Sequence, residues 1–342
     1  MICSFNNDYS EGAHPSILQA MLESNLEQND GYGLDTHSER ARASILRELD
    51  RTDADIHFIP GGTQTNLLAI AGALRPHQAV VCAQTGHINV HETGAIEATG
   101  HKVLGMESPD GKLTPALVQA ALDHHTDEHM VQPKMVYISN STEVGTQYTK
   151  AELEALSRFC RLHGLYLFLD GARLGSALTS PDNDLTMADL ARLTDLFYIG
   201  GTKNGALFGE ALVILHPDLK PDFRFLIKQR GAMMAKGWLL GLQFEHLFQN
   251  GLFYALAAHA NEMAARLRAG STACGYPFRW ESATNQLFPI LPNPVMEALA
   301  EDFLFSPQEI VDQDHTCVRL VTSWATKPEY VEAFLEALKK LA

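Results

Sequence analysis

The chain of 342 residues has no apolar run approaching the length that spans a bilayer, so no membrane partner is expected. Its opening residues, Met1-Ile2-Cys3-Ser4-Phe5-Asn6-Asn7-Asp8, hold neither a basic segment nor an apolar core, so no signal peptide is expected. Cysteine is scarce, with five scattered at 3, 82, 160, 274 and 317. An odd, dispersed set is no disulfide framework. Cys82, Cys160 and Cys317 lie in apolar segments and read as small buried hydrophobes. A reducing, cytoplasmic setting fits that usage. Positive charge is also short: 26 Lys and Arg stand against 41 Asp and Glu, a net charge of −15. Nucleic acid, which needs a basic face, is therefore not expected. The Gly-x-Ser-x-Gly turn is missing, and no Cys/His spacing suggests a nucleophilic pair, so hydrolase chemistry has no support. Neither Gly-x-Gly-x-x-Gly nor a Walker pattern occurs, so nucleotide binding is not indicated.

What is present is a set of apolar strand-like runs that end in polar groups. Leu165-Tyr166-Leu167-Phe168-Leu169 runs into Asp170-Gly171-Ala172-Arg173, and Phe197-Tyr198-Ile199 runs into Gly200-Gly201-Thr202-Lys203. In an open parallel α/β sheet, ligands bind beyond the carboxyl ends of the strands. Lys203 can form a Schiff base with an aldehyde. Asp170 can pair with a pyridinium nitrogen, the partner that lets pyridoxal 5'-phosphate act as an electron sink. Taken singly, an Asp capping a helix and a Lys in a solvated loop are as ordinary. A third turn, Pro60-Gly61-Gly62-Thr63-Gln64-Thr65-Asn66, joins the strand Ile56 to Ile59 to a helix from Leu67 to Leu74. Free backbone N–H groups and the helix dipole make such a turn an anion cradle, although Thr65 or Asn66 could equally be an N-cap.

Strands and helices alternate through the first two thirds. Strands are expected at Ala79 to Cys82, Lys102 to Met106, Met135 to Ile138 and Ala211 to Leu215. Helices are expected at Ser38 to Leu49, His87 to Ala98, Thr114 to His125 and Lys150 to His163. This alternation predicts an α/β fold built on a mostly parallel, doubly wound sheet. Beyond about residue 220 come long helices (Gly237 to Gln249, Leu252 to Leu267), short strands (Gln286 to Ile290, Cys317 to Thr322) and a closing helix, Pro328 to Leu341. The expected division is an N-terminal segment, 1–35, packing with the small domain; a large cofactor-binding domain, 36–248; and a smaller α+β C-terminal domain, 249–342.

His87 and His91 lie four apart with Glu92 beside them, but without His-Glu-x-x-His or a third ligand no metal is expected. His87, shortly after a strand, can instead stack on a planar ring. Arg319, between apolar neighbours in a short strand, faces solvent by default; facing a pocket, it suits a bidentate clamp on a carboxylate.

With these residues in place, the chain resembles the threonine aldolase/β-eliminating lyase family of pyridoxal-phosphate enzymes, which have the aspartate-aminotransferase fold. The likeness runs through Asn7-Asp8, Tyr32-Gly33-Leu34-Asp35, the Pro60 to Asn66 turn, His87 to Ala95, Asp170 to Leu174, Gly-Gly-Thr-Lys and Arg319 to Thr322. It implies a pyridoxal 5'-phosphate cofactor and low-specificity L-threonine aldolase activity, the cleavage of a β-hydroxy-α-amino acid to glycine and an aldehyde. It implies that Lys203 holds the cofactor, Asp170 its pyridine nitrogen, and Gly62, Thr63 and Gln64 its phosphate. His87 would stack on the ring, and Arg173 would lie near the ring hydroxyl and the substrate carboxylate. Arg319 would clamp that carboxylate, helped by Asn7, where the family often has serine. A homo-oligomer is implied, dimer or tetramer, with sites at subunit interfaces and with Lys236 or Arg230 reaching a neighbour's phosphate. Two departures stand out. Thr142 occupies the place where the family often has histidine, and Gly-Gly-Thr precedes the lysine in place of a Ser-rich version. The base for the hydroxyl proton is left as His87, Glu92 or a water. β-Elimination, transamination and non-catalytic binding of a phosphate ligand are the competing readings.

Overall fold

The computed structural model describes residues 3–342. A two-residue strand, β1 (Cys3–Ser4), precedes seven strands that form one sheet. These are β2 (Asp55–Ile59), β3 (Gln78–Ala83), β4 (Val103–Met106), β5 (Gln132–Ser139), β6 (Tyr166–Asp170), β7 (Leu196–Gly200) and β8 (Glu210–Ile214). Their order is β2-β8-β7-β6-β5-β3-β4. β8 runs antiparallel to both of its neighbours, and every other pair is parallel. The α/β fold with a mostly parallel sheet is thus present, and one reversed strand makes it mixed. The reversal has a local cause, since the connection 201–209 is too short for a parallel crossover.

The strands read as continuous apolar runs because both faces of the sheet are covered. Val81, Val136, Leu167, Leu169 and Phe197 pack on one side with the helix Lys150–Leu162. Val80, Met135, Tyr137, Phe168 and Tyr198 pack on the other, with Leu68 and Ile70 of the helix Gly62–Ala73. Local signals start the helices. Thr149 and Glu152 form a reciprocal capping box ahead of the apolar face Leu153, Leu156 and Cys160. Asp35 accepts a hydrogen bond from the Ser38 N–H at the start of the helix Thr36–Glu48.

A second, antiparallel sheet lies in the C-terminal region: β9 (Gln286–Leu287), β10 (Ile290–Pro292), β12 (Ser306–Ile310) and β13 (His315–Val321), while β11 (Phe303–Leu304) pairs with β1 in parallel. β13 is central, and Val318 and Leu320 pack with Phe5, Leu267, Phe303 and Phe334. The single strand expected from Gln286 to Ile290 is two short ones, because Pro289 has no N–H for the ladder. β12 and the helix Asn293–Ala300 go unsignalled in the sequence; the strand is a polar edge containing Pro307, and the helix is only two turns long.

The helix expected from His87 to Ala98 is a correction. Only His87–Val90 is α-helical, followed by left-handed Thr93 (φ 52°) and Gly94 (φ 72°) and a short 3₁₀ turn, Glu97–Thr99. The break swings Glu92 inward, where it meets His87.

Candidate active site

The carboxyl ends of β2, β3, β5, β6 and β7 converge on a cavity of about 340 Å³. β2 delivers Pro60, Gly61, Gly62 and Thr63, β3 delivers His87, and β5 delivers Ser139 and Glu143. β6 contributes Asp170 and Arg173, β7 Tyr198 and Lys203, and reversed β8 brings Glu210 in from its amino end. A wider cavity of about 610 Å³ adjoins it and adds His91, Trp280, Gln286, Gln308 and Arg319. Tyr9, His87, Glu143, Arg173 and Lys203 wall both.

Asp170 is buried at the end of β6 and surrounded by donors. Its Oδ2 accepts from the Tyr137 hydroxyl (2.5 Å) and Asn66 Nδ2 (3.2 Å), its Oδ1 from the Ala172 N–H (3.0 Å), and Tyr198 lies beside it. Burial and the neighbouring Asp170 charge raise both phenols far above the usual tyrosine range, so they stay protonated and Tyr137 keeps donating.

Lys203 sits on the turn after β7, over the ring of Tyr9 with 6.0 Å to its centroid. Its pKa falls below the usual lysine value, first because burial penalises the ammonium and next because Arg173 repels it; Asp8, Asp170 and Glu210 oppose that fall. A larger share of free amine results, the form that attacks a carbonyl. Glu210 anchors this turn: its Oε1 accepts from the Thr202 hydroxyl (2.8 Å) and its Oε2 from the Gly201 N–H (3.0 Å). Burial pushes the Glu210 carboxyl up to about 8.

At the start of the helix Gly62–Ala73, Gly61 offers no side-chain cap, and the Thr65 hydroxyl turns back to the Gly61 carbonyl (2.9 Å). The first amides and the positive end of the dipole are therefore open toward the cavity. Gly62 and Thr63 line it. Gln64 does not; its amide donates to the Arg230 carbonyl (3.1 Å).

His87 is pinned by two carboxylates. Its Nδ1 meets Glu92 Oε1 at 2.8 Å, and its backbone N–H donates to Glu143 Oε1 at 3.0 Å. Glu92, a candidate base in the sequence, lies behind the imidazole with its side chain fully buried and lines neither cavity. Thr142 is buried too, its hydroxyl bonded to Thr146 (2.7 Å).

The two arginines differ. Arg173 is bound bidentately by Asp8, Nε to Oδ2 at 2.7 Å and an outer nitrogen to Oδ1 at 2.9 Å. The Arg173 charge holds the Asp8 carboxyl below its usual range despite burial, and Asn285 Nδ2 donates to it as well (2.9 Å). Arg319 on β13 makes one side-chain hydrogen bond among the described residues, to the Asn6 carbonyl (3.3 Å), and its buried Nε has no partner among them. An orphaned guanidinium nitrogen in a cavity wall is a donor awaiting an anion. Asn7 is not at either cavity; its side-chain oxygen accepts from Tyr9 N–H and Ser10 Oγ (3.0 and 2.9 Å).

Of the residues expected from the sequence, Lys203, Asp170, His87, Gly62, Thr63, Arg173 and Arg319 meet at the two adjoining cavities, and Gln64 and Asn7 lie outside them. Tyr137, Tyr198, Glu143 and Glu210 join the site without having been expected there. The two tyrosines carry no local signal, since an aromatic in a strand reads as core; the carboxylates have one, an acid at the edge of an apolar run.

The family model described as beta-eliminating lyase matches residues 7–292. The low specificity L-threonine aldolase of Pseudomonas aeruginosa is 34% identical over 299 residues, 86% of each chain. A solved structure of Leishmania major threonine aldolase is 59% identical, with a TM-score of 0.98 over 99% of both chains. Thermus thermophilus aspartate aminotransferase, 17% identical, shares the fold with a TM-score of 0.75 over 100% of this chain and 92% of that one.

Proposed function

The chain belongs to the beta-eliminating lyase family, alongside its threonine aldolases, and from that premise we propose that it binds pyridoxal 5'-phosphate and cleaves β-hydroxy-α-amino acids to glycine and an aldehyde. The observation that carries the reading is a threefold match. An amine with a lowered pKa, a tyrosine-bonded carboxylate and an uncapped helix start face one cavity, as an aldehyde, a pyridine nitrogen and a phosphate require.

Lys203 would hold the aldehyde carbon, Asp170 the ring nitrogen, and the amides at Gly62 and Thr63 the phosphate, with His87 against the ring. When bound, the cofactor supplies an electron sink for the pair left by the breaking carbon–carbon bond. The protein's own contribution is orientation. Arg319 receives the substrate carboxylate through its unpaired Nε, and Arg173, steadied by Asp8, borders the same space. Fixing the substrate at two points sets which bond stands perpendicular to the ring, and such positioning supplies a large part of a barrier reduction. Glu92 fixes the imidazole of His87 through Nδ1, so that the ring presents its face and Nε2 to the cavity. We also propose a homo-oligomer, dimer or tetramer, in the cytoplasm. Exposed Leu22, Leu26 and Phe225 support the assembly, and exposed Arg230 or Lys236 would reach a neighbour's phosphate.

The test is the visible spectrum of the purified protein, before and after borohydride and with glycine added. A band that reduction fixes onto Lys203 and that glycine perturbs is expected, together with loss of the band and of threonine cleavage in Lys203→Ala. A colourless protein that pyridoxal phosphate does not reconstitute would overturn the reading. A band with pyruvate or keto-acid products in place of glycine and aldehyde would move the enzyme to β-elimination or transamination.

A further inference from the structure

Cleavage needs an acceptor for the β-hydroxyl proton, and Thr142 does not supply one, since its hydroxyl is bonded to Thr146 and it lines neither cavity. We infer that the adjacent Glu143 carries that proton, as the general base of the cleavage and then as the acid that returns it. This inference rests on the cofactor reading above.

Position is the first argument. A substrate with its nitrogen beside Lys203 and its carboxylate at Arg319 would span the two cavities, with its Cα–Cβ bond near the residues that wall both. Glu143 is one of the five residues that wall both. Of the others, Arg173 has no lone pair and is engaged by Asp8, Lys203 is the cofactor anchor, His87 presents its face to the ring, and Tyr9 lies over Lys203.

The carboxyl is also held in a defined pose. Ser139 Oγ (2.7 Å) and the His87 N–H (3.0 Å) both donate to Oε1, and Oε2 takes no hydrogen bond among the described residues. One oxygen is a fixed anchor and the other is free to exchange a proton. Burial, reinforced by the Asp170 charge, raises this carboxyl above the usual range, while Ser139 and His87 pull it back. Its conjugate acid is then well matched to a proton that must be taken and given back. The titratable groups that face it are Asp170 at the end of β6, His87 after β3, Cys82 on β3, Tyr137 on β5, Tyr148 after the Gly145 turn, and Arg173.

The balance closes without a co-reactant. The carboxylate takes the hydroxyl proton, and the O–H pair becomes the second bond of the departing aldehyde. The Cα–Cβ pair would stay with Cα, for which the bound cofactor would supply the electron sink, until the proton on Glu143 is delivered to that carbon. Substrate equals glycine plus aldehyde.

The experiment compares the parent holoenzyme with Glu143→Gln and Glu143→Asp. Glutamine keeps an acceptor oxygen for Ser139 and His87, so the loop is preserved while proton transfer is lost. The expected result for Glu143→Gln is a parent-like visible band with a parent-like response to glycine, and a fall in threonine cleavage of roughly 10²–10⁴-fold. The acid limb of its kcat/KM profile disappears, because that limb reports the ionisation of the base, and Glu143→Asp restores part of the rate. Cleavage within about threefold of the parent and with the same pH profile would overturn the proposal and leave a structural carboxyl. So would loss of the band or of the glycine response in Glu143→Gln. A parent protein without any band would instead bring down the functional reading itself.

Discussion

At the scale of single residues, the two arginines of the site are distinguished by what already occupies them. Arg173 is neutralised by Asp8, whereas Arg319 keeps an unpaired buried nitrogen. Replacing Arg319 by Ala should therefore leave the cofactor band intact and raise KM, with kcat/KM falling about 100-fold, the worth of a charge-assisted pair. Steady-state kinetics beside the spectrum would check this, and an unchanged KM would place the carboxylate elsewhere. Asp8→Asn should behave differently. It strands the Arg173 charge in a buried setting, and urea unfolding should show a loss of about 3–5 kcal/mol. Away from the site, His57 stacks on Phe223 (ring centroids 5.2 Å apart), near Arg42 and Arg224, and burial pushes it down to about 4 from 6.5. The unfolded chain binds that proton first, so stability present above pH 6.5 is lost as pH falls toward 4, by at most about 3 kcal/mol. In His57→Leu the acid arm of the stability curve should flatten by that amount.

At the scale of elements, the two motif turns are pressed together. A Cβ on Gly171 would lie 1.8 Å from the Tyr198 carbonyl oxygen, and one on Gly200 2.3 Å from that of Ala172. The Gly200 N–H donates to the Gly171 carbonyl at 2.9 Å. This contact is what sets Asp170 and Lys203 at a fixed separation. Gly171→Ala should destabilise the fold by about 3 kcal/mol or more and uncouple the two groups, read as lowered thermal stability with weaker cofactor retention. The strands that carry these turns were legible because they are buried on both faces and end abruptly in charge. The loop after β3 was not. Its residues His87 to Ala98 suit a helix, but the chain turns at Thr93-Gly94, and Glu92 pairs with His87 and with Asn66 of a distant helix. The side chains of Gln64 and Asn7 lie outside the cavities for a related reason. Motif spacing fixes where a backbone goes, but a flexible amide points to whichever donor or acceptor lies nearest, here Arg230 and the 7–10 turn.

At the scale of the whole molecule, the site is complete only where three parts of the chain meet. Asp8 comes from the N-terminal segment, Asp170, Arg173 and Lys203 from the large sheet, and Arg319 from the C-terminal sheet. Asn285 ties them. Its Nδ2 donates to Asp8 Oδ2 (2.9 Å) and to the Thr322 carbonyl (2.8 Å), and its N–H donates to Ser176 Oγ (3.1 Å). Ser176 in turn donates to Asn261 of the helix Leu252–Ala273 (2.5 Å). None of these bonds touches the cofactor cavity. Asn285→Ala should consequently leave the visible band and its fixation by borohydride unchanged, while loosening the placement of Arg319 against Arg173. Displacing two carboxylate-facing groups by a fraction of an ångström acts on substrate orientation, so KM should rise about tenfold with a smaller change in kcat. The loss of its buried hydrogen bonds should cost about 1–3 kcal/mol in unfolding free energy. A variant that lost cofactor before it lost substrate affinity would show instead that Asn285 serves the large sheet alone, and that the C-terminal sheet is positioned by its apolar core.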